Sequence, residues 1–448
     1  MRSASAICIL SLLAILVQRP VAAENWPQFR GTGSRGISPA AAPKSWNVDS
    51  GQNIRWTQDL PGLGHASPIL WNSRIYIATA VRPGSKPELK IGLYGEGESY
   101  KEKEVHQWRL LCLDAVTGKL IWDRLSFEAI PRQERHTKAS HCNSTPATDG
   151  QRIVAIFGSE GLFCFDMEGA LLWRKDLGKM DAGPWDAPSL QWSFASSPIL
   201  YEGNVIVQCD VLSEQFLVLF DAATGRELWR TPRKEVANWC TPAVARTSHG
   251  TQIVLNGWKQ LGGYDFQTGK PLWTLSGGGD IPVPTPLIVE DLAIFSSAHG
   301  KYRPLRAIRL DAASGDITPP QLEDTNQFIA WCHPRLGSYL QTPIVLGDKL
   351  WSCDLLGILS CLDPATGRIH YSERLGSGGQ SFTSSGIAVG DHLYLANEAG
   401  EVYVIEATNK FAPVATNRLG GVCLATPAAA AGTIFFRTSE RLIAIGTR

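Results

Sequence analysis

The sequence has no excess of charge of either sign, because 42 Lys and Arg residues balance 42 Asp and Glu residues. It contains no basic run long enough to attract a nucleic acid or an anionic membrane, so neither partner is expected. Apolar runs are too short to cross a membrane, and no stretch repeats with the period of an amphipathic helix. These absences favour a globular, non-helical protein without a membrane span.

The cysteines do not form the even set that a disulfide framework needs. Ten are present, and removal of Cys8 with the leader described below leaves an odd number. Cys112, Cys164 and Cys361 each lie two residues before an acidic residue of a recurring motif, where small buried strand residues are expected. No Gly-x-Ser-x-Gly elbow occurs, and Ser159 lies between two predicted strands, so a hydrolase nucleophile is not indicated.

The first residues have the pattern of an export signal. Arg2 precedes an apolar stretch over residues 6–17, and Val21-Ala22-Ala23 is a small-residue cleavage site. A signal peptide over residues 1–23 would leave a mature chain of residues 24–448, soluble in the periplasm or secreted. Because Cys8 lies inside the apolar stretch and not after the cleavage site, a lipid anchor is not expected.

The stretch from Asp221 to Trp229 predicts a hairpin and recurs along the chain. Gly225 can take the positive φ of a turn, and Trp229 follows in the next strand, where its ring can fill the gap between two packed sheets. Further copies share an acidic residue, a later glycine and a Trp or its replacement: Asp114, Gly118 and Trp122; Asp166, Gly169 and Trp173; Asp265, Gly269 and Trp273; Asp311, Gly315 and Pro319; Asp363, Gly367 and Tyr371; and, most degenerate, Glu406 with Lys410.

A Ser or Thr followed by Pro, then an apolar run, a turn and an alternating strand, is the second recurring landmark. Its occurrences are Ser67, Thr145, Ser197, Thr241, Thr285, Thr342 and Thr426, with Ser385 before Gly386 as a degenerate copy. Pro198, Pro242 and Pro286 are spaced by 44 residues, the period of a four-stranded propeller blade. The sequence therefore predicts an all-β, eight-bladed β-propeller of four-stranded blades.

The last unit lacks its fourth strand, and a turn plus a Trp strand stands alone around Trp56. We expect this N-terminal strand to complete the last blade and close the ring. The whole mature chain is then one domain, with an inserted loop over residues 81–108 in the first blade. Further insertions at residues 125–141, 178–194 and 319–340 should lie on the same face.

The copies at Asp114, Asp221, Asp265 and Asp363 resemble the tryptophan-docking repeat of the pyrroloquinoline-quinone-like (PQQ-like) propeller superfamily. The plain eight-blade plan and the Trp-Pro-Gln-Phe-Arg-Gly start at Trp26 are most similar to exported BamB-type propellers. In the superfamily's enzymes, the resemblance implies a quinone held by a Trp and two adjacent half-cystines, beside a calcium ion. This chain has neither a Cys-Cys pair nor a Cys-x-x-Cys-His haem motif, so no cofactor is expected.

Residues just before the blade starts should converge on the mouth of the central channel. The ligand-binding candidates are His65, His141, Asn143, Trp192, Trp239, Tyr339 and Gln380. The alternative is that these residues only pack and hydrogen-bond the blade junctions. The spacings of His136, His141 and Cys142, with Cys332 and His333, match no zinc pattern, so neither a metal site nor a catalytic residue is assigned.

These observations predict a monomeric binding or scaffold propeller rather than an enzyme. It would engage a protein or a cell-envelope polymer through its loop-decorated face. The alternative is a PQQ- or metal-dependent dehydrogenase that oxidises alcohols or sugars at an atypical site at the channel mouth. A polysaccharide lyase or hydrolase has only the aromatic mouth in its favour, since no paired carboxylates can be placed there.

Overall fold

The computed structural model describes residues 24–85, 88–92 and 99–447. The predicted signal peptide over residues 1–23 lies outside them. Strands dominate the described residues, and helix is confined to two short 3-10 turns, Thr32–Ser34 and Gly158–Glu160. None of the helices in this part of the chain has the length and apolar character needed to span a membrane.

Eight antiparallel sheets form a ring of eight blades, which confirms the predicted propeller. From the channel outward, blades 1 to 4 are formed by Ile69–Trp71, Arg74–Val81, His106–Asp114 and Leu120–Ala129; Ala147–Thr148, Arg152–Ile156, Leu162–Asp166 and Leu171–Lys175; Ile199–Tyr201, Asn204–Asp210, Gln215–Asp221 and Glu227–Pro232; and Ala243–Thr247, Gly250–Leu255, Leu261–Asp265 and Pro271–Leu275.

The second half of the ring follows the same order. Blades 5 to 8 are formed by Leu287–Val289, Leu292–Ser296, Leu305–Arg309 and Ile329–His333; Ile344–Leu346, Lys349–Cys353, Ile358–Leu362 and Ile369–Arg374; Ile387–Val389, His392–Ala396, Glu401–Glu406 and Pro413–Arg418; and Ala428–Ala430, Thr433–Arg437, Arg441–Ile445 and Ile54–Asp59. Each blade buries its faces against its neighbours, as Val154 and Ile156 of blade 2 do against Val205 and Val207 of blade 3.

The N-terminal strand closes the ring as predicted. Ile54–Asp59 pairs antiparallel with Arg441–Ile445, with Trp56 opposite Ala444. An N-terminal and a C-terminal strand are thereby held in one sheet, and blade 8 gains its fourth strand.

The Trp of the repeat fastens five of the eight blades to the next one. The Trp173 ring of blade 2 packs on Gly225 in blade 3, and its Nε1 donates to the Ala222 carbonyl at 2.9 Å. Gly225 has φ of 67°, and a Cβ there would lie 2.7 Å from the ring, so both conformation and space require glycine. The same packing on a glycine joins Trp56 to Gly118, Trp122 to Gly169, Trp229 to Gly269 and Trp331 to Gly367, although Trp122 Nε1 has no hydrogen-bond partner among the described residues. The predicted copy at Trp273 differs, because its ring lies against Gly263 of its own blade and its Nε1 donates to Gln252 Oε1 at 2.9 Å.

The copy at Asp311 departs from the prediction. We expected Pro319 at the Trp position of blade 5, and this is wrong, because proline has neither the ring size nor the N–H to replace the indole. Gly315–Asp316 instead pairs in parallel with the outer strand of blade 4. The fourth strand of blade 5 is Ile329–His333, in which Trp331 donates its Nε1 to the Pro364 carbonyl at 2.9 Å. The insertion predicted over residues 319–340 therefore contains a blade strand.

The N-terminal segment over residues 24–38 closes one end of the central channel. Trp26 exchanges two backbone hydrogen bonds with Leu70 of blade 1, at 2.9 and 2.8 Å. Arg30 is fully buried and donates to the carbonyls of Pro343 and Gly386, in blades 6 and 7, at 2.8 and 2.7 Å. Ile37–Ser38 then pairs in parallel with the inner strand of blade 7. One short segment thus joins blades 1, 6 and 7.

Three of the four predicted insertions meet at the other end of the channel, which we call the decorated face. Ser99–Tyr100, inside blade 1, pairs with Arg135–His136, which follows blade 1. The third insertion joins them where the Gln191 N–H donates to Ser99 Oγ at 2.5 Å. The nine described cysteines are free thiols, and eight of them, including Cys112, Cys164 and Cys361, are buried, as predicted for small strand residues.

Candidate functional site

A cavity of about 270 Å³ opens on the decorated face at the channel mouth. Five of the seven predicted residues line it: His65, Asn143, Trp192, Trp239 and Tyr339. These residues come from five different connections between blades, so the propeller brings together what the sequence separates. The N-terminal segment supplies Phe29 to the lining, so the cavity is closed toward the opposite face.

The other two candidates lie outside the lining. Gln380 is exposed in the connection between blades 6 and 7. His141 is turned into the insertions, where its Nε2 lies 2.7 Å from Glu102 Oε2. Both residues come shortly before a blade start in the sequence, but the structure does not place them on the cavity wall.

Aromatic rings form much of the wall. The centroids of Trp192 and Trp239 lie 5.6 Å apart with an interplanar angle of 33°, and Trp239 Nε1 donates to the Ser193 carbonyl at 2.7 Å. Tyr339 packs on His299 with centroids 5.7 Å apart. Such amphipathic rings give a ligand flat apolar surfaces with little conformational freedom to lose.

A ring of Ser and Thr hydroxyls, one from each blade start, lies around the cavity. In most blades the N–H of this residue donates to the hydroxyl of the next one. The bonded pairs are Ser67 to Thr145, Thr145 to Ser197, Ser197 to Thr241, Thr285 to Thr342, Thr342 to Ser385 and Ser385 to Thr426, at 2.9 to 3.1 Å. The recurring Ser or Thr before Pro was the sequence signal for this ring, although we used it only to mark blade starts.

These six bonds leave the ring interrupted at two places, between blades 4 and 5 and between blades 8 and 1. Among the described residues, Thr285 Oγ1 is buried and has no hydrogen-bond partner, whereas its counterparts in blades 2, 3, 4, 6, 7 and 8 each accept one. Trp192 Nε1, in the same cavity, is likewise buried and unpartnered. Buried polar atoms of this kind are rare in native proteins and ask for an explanation.

His65 is a neutral group in the wall. Burial, followed by the nearby charge of Arg437 and then of Arg135 and Lys138, lowers its pKa from 6.5 to about 3. Its Nε2 lies 3.0 Å from the Lys138 carbonyl. A carbonyl only accepts, so Nε2 carries the proton.

A buried ion pair crosses the mouth. Lys138, in the connection after blade 1, binds Glu398 of blade 7, and both side chains are largely buried. Gly92, from the insertion within blade 1, donates its N–H to Glu398 Oε2 at 3.0 Å and accepts from Lys138 Nζ at 3.2 Å. The insertions are thus tied to blade 7, which is separated from blade 1 by blade 8.

Glu102 is the centre of a second buried network. Arg135 donates to its two oxygens at 2.9 and 3.1 Å, and His141 contacts it at 2.7 Å. Burial acts to raise the pKa of Glu102, but the hydrogen bonds from His106, His141 and Arg135 outweigh it and hold that pKa far below its usual range. Burial lowers the pKa of His141, against the opposing effect of Glu102.

The donor atoms of Glu102, His106 and His141 all lie within 4.8 Å of one another, a group that could converge on a metal ion. Both oxygens of Glu102 are already paired with the Arg135 guanidinium, whose positive charge opposes a cation there. His333, considered from the sequence, lies in the outer strand of blade 5, with its Nε2 2.7 Å from the Gly367 carbonyl.

The quinone and calcium that the resemblance implies do not fit this cavity. No Asp or Glu is among the described residues of its lining, whereas Ca²⁺ is bound by carboxylate and carbonyl oxygens. The Asn143 amide is already committed, since its Oδ1 accepts from Ser140 and its Nδ2 donates to the Phe194 carbonyl at 3.2 Å. The adjacent half-cystines are lacking in the sequence.

Several wall and mouth residues were missed by sequence reasoning. Lys138 and Glu398 are 260 residues apart and belong to no repeat position, so nothing in the sequence pairs them. Phe29 belongs to the Trp-Pro-Gln-Phe-Arg-Gly start, which we noted only as a resemblance. Glu102 and His106 lie within the loop predicted over residues 81–108, to which the sequence analysis assigned no site residue.

The family model described as outer membrane protein assembly factor BamB matches residues 106–373. Among solved structures, BamB from Moraxella catarrhalis is 13% identical, with a TM-score of 0.55 over 82% of this chain and 98% of that chain. A europium-containing methanol dehydrogenase is 9% identical, with a TM-score of 0.58 over 94% and 89%. The C-terminal WD40 domain of Sif2 is 13% identical, with a TM-score of 0.55 over 88% and 99%. At these identities the likeness shows the fold alone. No curated protein matches the chain in sequence.

Proposed function

The chain belongs to the family of the outer membrane protein assembly factor BamB, and from that premise we propose that it is an exported, monomeric propeller that binds a protein or a cell-envelope polymer through its decorated face. Residues 1–23 act as the signal peptide, and the mature chain works in the periplasm or outside the cell. Binding, not catalysis, is its function.

The aromatic cavity under the joined insertions is the observation that carries this proposal. Trp192, Trp239 and Tyr339 offer flat apolar surface at the one open end of the channel. The described lining has no carboxylate and no cysteine, and two of its basic side chains are already engaged, because Lys138 pairs with Glu398 and His65 Nε2 lies 3.0 Å from the Lys138 carbonyl. A cavity so equipped favours holding a ligand over transforming it.

Capture from the native envelope fraction tests the proposal. The tagged full chain should retain a co-purifying protein or polymer, and the double variant Trp192→Ala and Tyr339→Ala should lose it. Val116→Ser is the matched control, because it removes an exposed apolar side chain from a turn between the outer strands of blade 1, away from the decorated face.

The competing function is a quinone-dependent dehydrogenase. Stoichiometric quinone in the purified protein, together with dye-linked oxidation of alcohols or sugars, would overturn the binding proposal. A rise in Tm with added quinone and calcium that is abolished by Trp239→Ala would count against it in the same way.

A further inference from the structure

Blade 5 contains a buried positive charge without a counter-ion. Arg306, in the third strand of that blade, is fully buried. In the described part of the chain it donates through Nη2 alone, to the Gly277 carbonyl at 2.6 Å and to Tyr302 Oη, while Nε and Nη1 have no hydrogen-bond partner. The Tyr302 ring, centred 5.5 Å from Cζ, offers the weak attraction of an aromatic face but no negative charge. Buried charges are normally paired, so this guanidinium asks for an explanation.

A cysteine faces this charge from the neighbouring strand. Cys332 lies directly opposite Arg306 in the outer strand of blade 5, so both side chains are on one face of the sheet, with Cβ atoms about 5 Å apart. The Tyr302 hydroxyl bridges them, because it accepts from Arg306 Nη2 and its Oη lies 3.7 Å from Cys332 Sγ. The thiolate of Cys332 is therefore an anion that this charge could pair with, and the Tyr302 O–H would donate to it.

Cys332 also differs from the other cysteines in its exposure. Of the nine described thiols it alone is not buried, and the contact of its Sγ with the Leu322 carbonyl, at 3.9 Å, lies at the surface. Burial raises the pKa of each of the other eight thiols, to about 12 for Cys142 and Cys423. Reactive cysteines lie in partly exposed, electropositive surroundings, whereas buried thiols are inert. A reagent needs to reach only the sulfur, because Arg306 acts on it from the buried side.

We propose that Cys332 is a modification site at which the protein forms a mixed disulfide with low-molecular-mass disulfides, assisted by Arg306 and Tyr302. The thiol gives its proton to water, and the thiolate attacks one sulfur of the external disulfide. The S–S bond of the reagent breaks as the bond to Sγ forms, and the leaving thiolate takes a proton from water. One thiol is released for each thiol consumed, so no further oxidant is needed. Neither Cys332 nor Tyr302 is in the described lining of the cavity, so the proposal does not depend on the binding function.

Reaction of the purified native chain with oxidised glutathione tests the proposal. The protein is reduced, freed of reductant, incubated with millimolar oxidised glutathione and analysed by intact mass and peptide mapping. We expect one glutathione per chain, on Cys332 and removable by reductant, while the eight buried cysteines react only after denaturation. The proposal is wrong if the native chain gains no adduct, if the adduct lies on another cysteine, or if a covalent dimer through Cys332 forms in its place.

Two variants test the contributions of the guanidinium and the phenol. Arg306→Met keeps the bulk of the buried side chain and removes its charge, and Tyr302→Phe removes only the hydroxyl. Each should slow adduct formation about tenfold. Arg309→Met is the matched control and should react at the parent's rate, because it removes from the same strand a guanidinium that bonds to two backbone carbonyls instead. If Arg306→Met and Tyr302→Phe also react at the parent's rate, Cys332 reacts through exposure alone and the assistance that we propose does not exist.

A folding defect in these variants has a distinct signature. An unfolded variant exposes the buried thiols as well, so it gains several adducts instead of losing one. Arg306→Lys serves as the rescue, because it keeps a positive charge at the same place in the sheet, and it should react faster than Arg306→Met. A rate no faster than that of Arg306→Met would show that the charge does not assist Cys332, and would overturn the proposal.

Discussion

The perimeter and the mouth of the propeller are built in opposite ways. On the perimeter the same device recurs, in which a Trp packs on a glycine of positive φ in the next blade, as Trp173 does on Gly225. At the mouth, apart from the ring of Ser and Thr hydroxyls, the contacts described above do not repeat, and Lys138 and Glu398 join blades that are not neighbours. The perimeter can be recognised by counting, whereas the mouth depends on how the closed ring brings distant loops together.

The difference separates stability from function. The repeated contact holds five pairs of neighbouring blades in the same way and leaves little freedom to vary there. The connections at the mouth are released from that constraint, and there the chain places its aromatic wall, its neutral histidine and its unpartnered hydroxyl. Function is therefore expected where the repeat is interrupted.

The largest effect should come from the perimeter. Gly225→Ala forces a Cβ to 2.7 Å from the Trp173 ring at a φ of 67°. The left-handed conformation costs about 1–2 kcal/mol, and overpacking costs a similar amount or more. We expect a loss of about 3 kcal/mol in the free energy of unfolding, measured by urea denaturation.

Gly203→Ala is the control for that prediction. Gly203 has φ of 73° in the exposed turn between the first two strands of the same blade, and nothing lies within 4 Å of its added Cβ. Only the conformational cost should remain, so the loss should be about half as large. Equal losses in the two variants would mean that the Trp docking contact adds nothing to the rigidity of the perimeter.

A smaller effect is expected at the mouth and depends on pH. The pKa of His65 is lowered from 6.5 to about 3 by burial and by Arg437, so the unfolded chain binds a proton that the folded chain does not. The contribution of neutral His65 to the free energy of unfolding is therefore fully present above pH 6.5 and is lost as the pH is lowered toward 3. Between pH 7.5 and pH 5 the loss should be about 1–2 kcal/mol.

Thermal melts across this pH range measure the effect. His65→Gln should remove part of the decline in Tm, while His249→Gln, which changes an exposed histidine of blade 4, should keep the parent's profile. A parent and a His65→Gln variant with parallel profiles would show that His65 already titrates like a solvent-exposed histidine, and the mouth would be less enclosed than its geometry indicates.

The sequence predicts the repeated parts of the propeller better than the residues of the mouth. The eight blades and the closing strand at Trp56 were confirmed because each rests on a pattern with a fixed spacing. Blade 5 was assigned the wrong outer strand because extra residues between Asp311 and Trp331 break the spacing of the repeat. Spacing alone also cannot show that Gly315–Asp316 pairs with the sheet of blade 4. Of the cavity, Trp192, Trp239 and Tyr339 were found because they precede blade starts, but Lys138 and Phe29 belong to no recurring position.

The smallest effect concerns the ring of Ser and Thr hydroxyls, which repeats from blade to blade like the perimeter contact but lies at the mouth. Thr342→Val removes the oxygen that accepts the Thr285 N–H at 3.0 Å and leaves that donor buried without a partner. This should cost about 1 kcal/mol in the free energy of unfolding.

Thr285→Val removes a hydroxyl that has no partner in the described structure, so the same isosteric change should leave the urea midpoint unchanged or raise it slightly. The two threonines occupy the same position in blades 5 and 6, so the difference between them isolates the hydrogen bond from the shape of the side chain. If Thr285→Val is the more destabilising of the two, its hydroxyl is part of the ring after all, and the ring is not interrupted between blades 4 and 5.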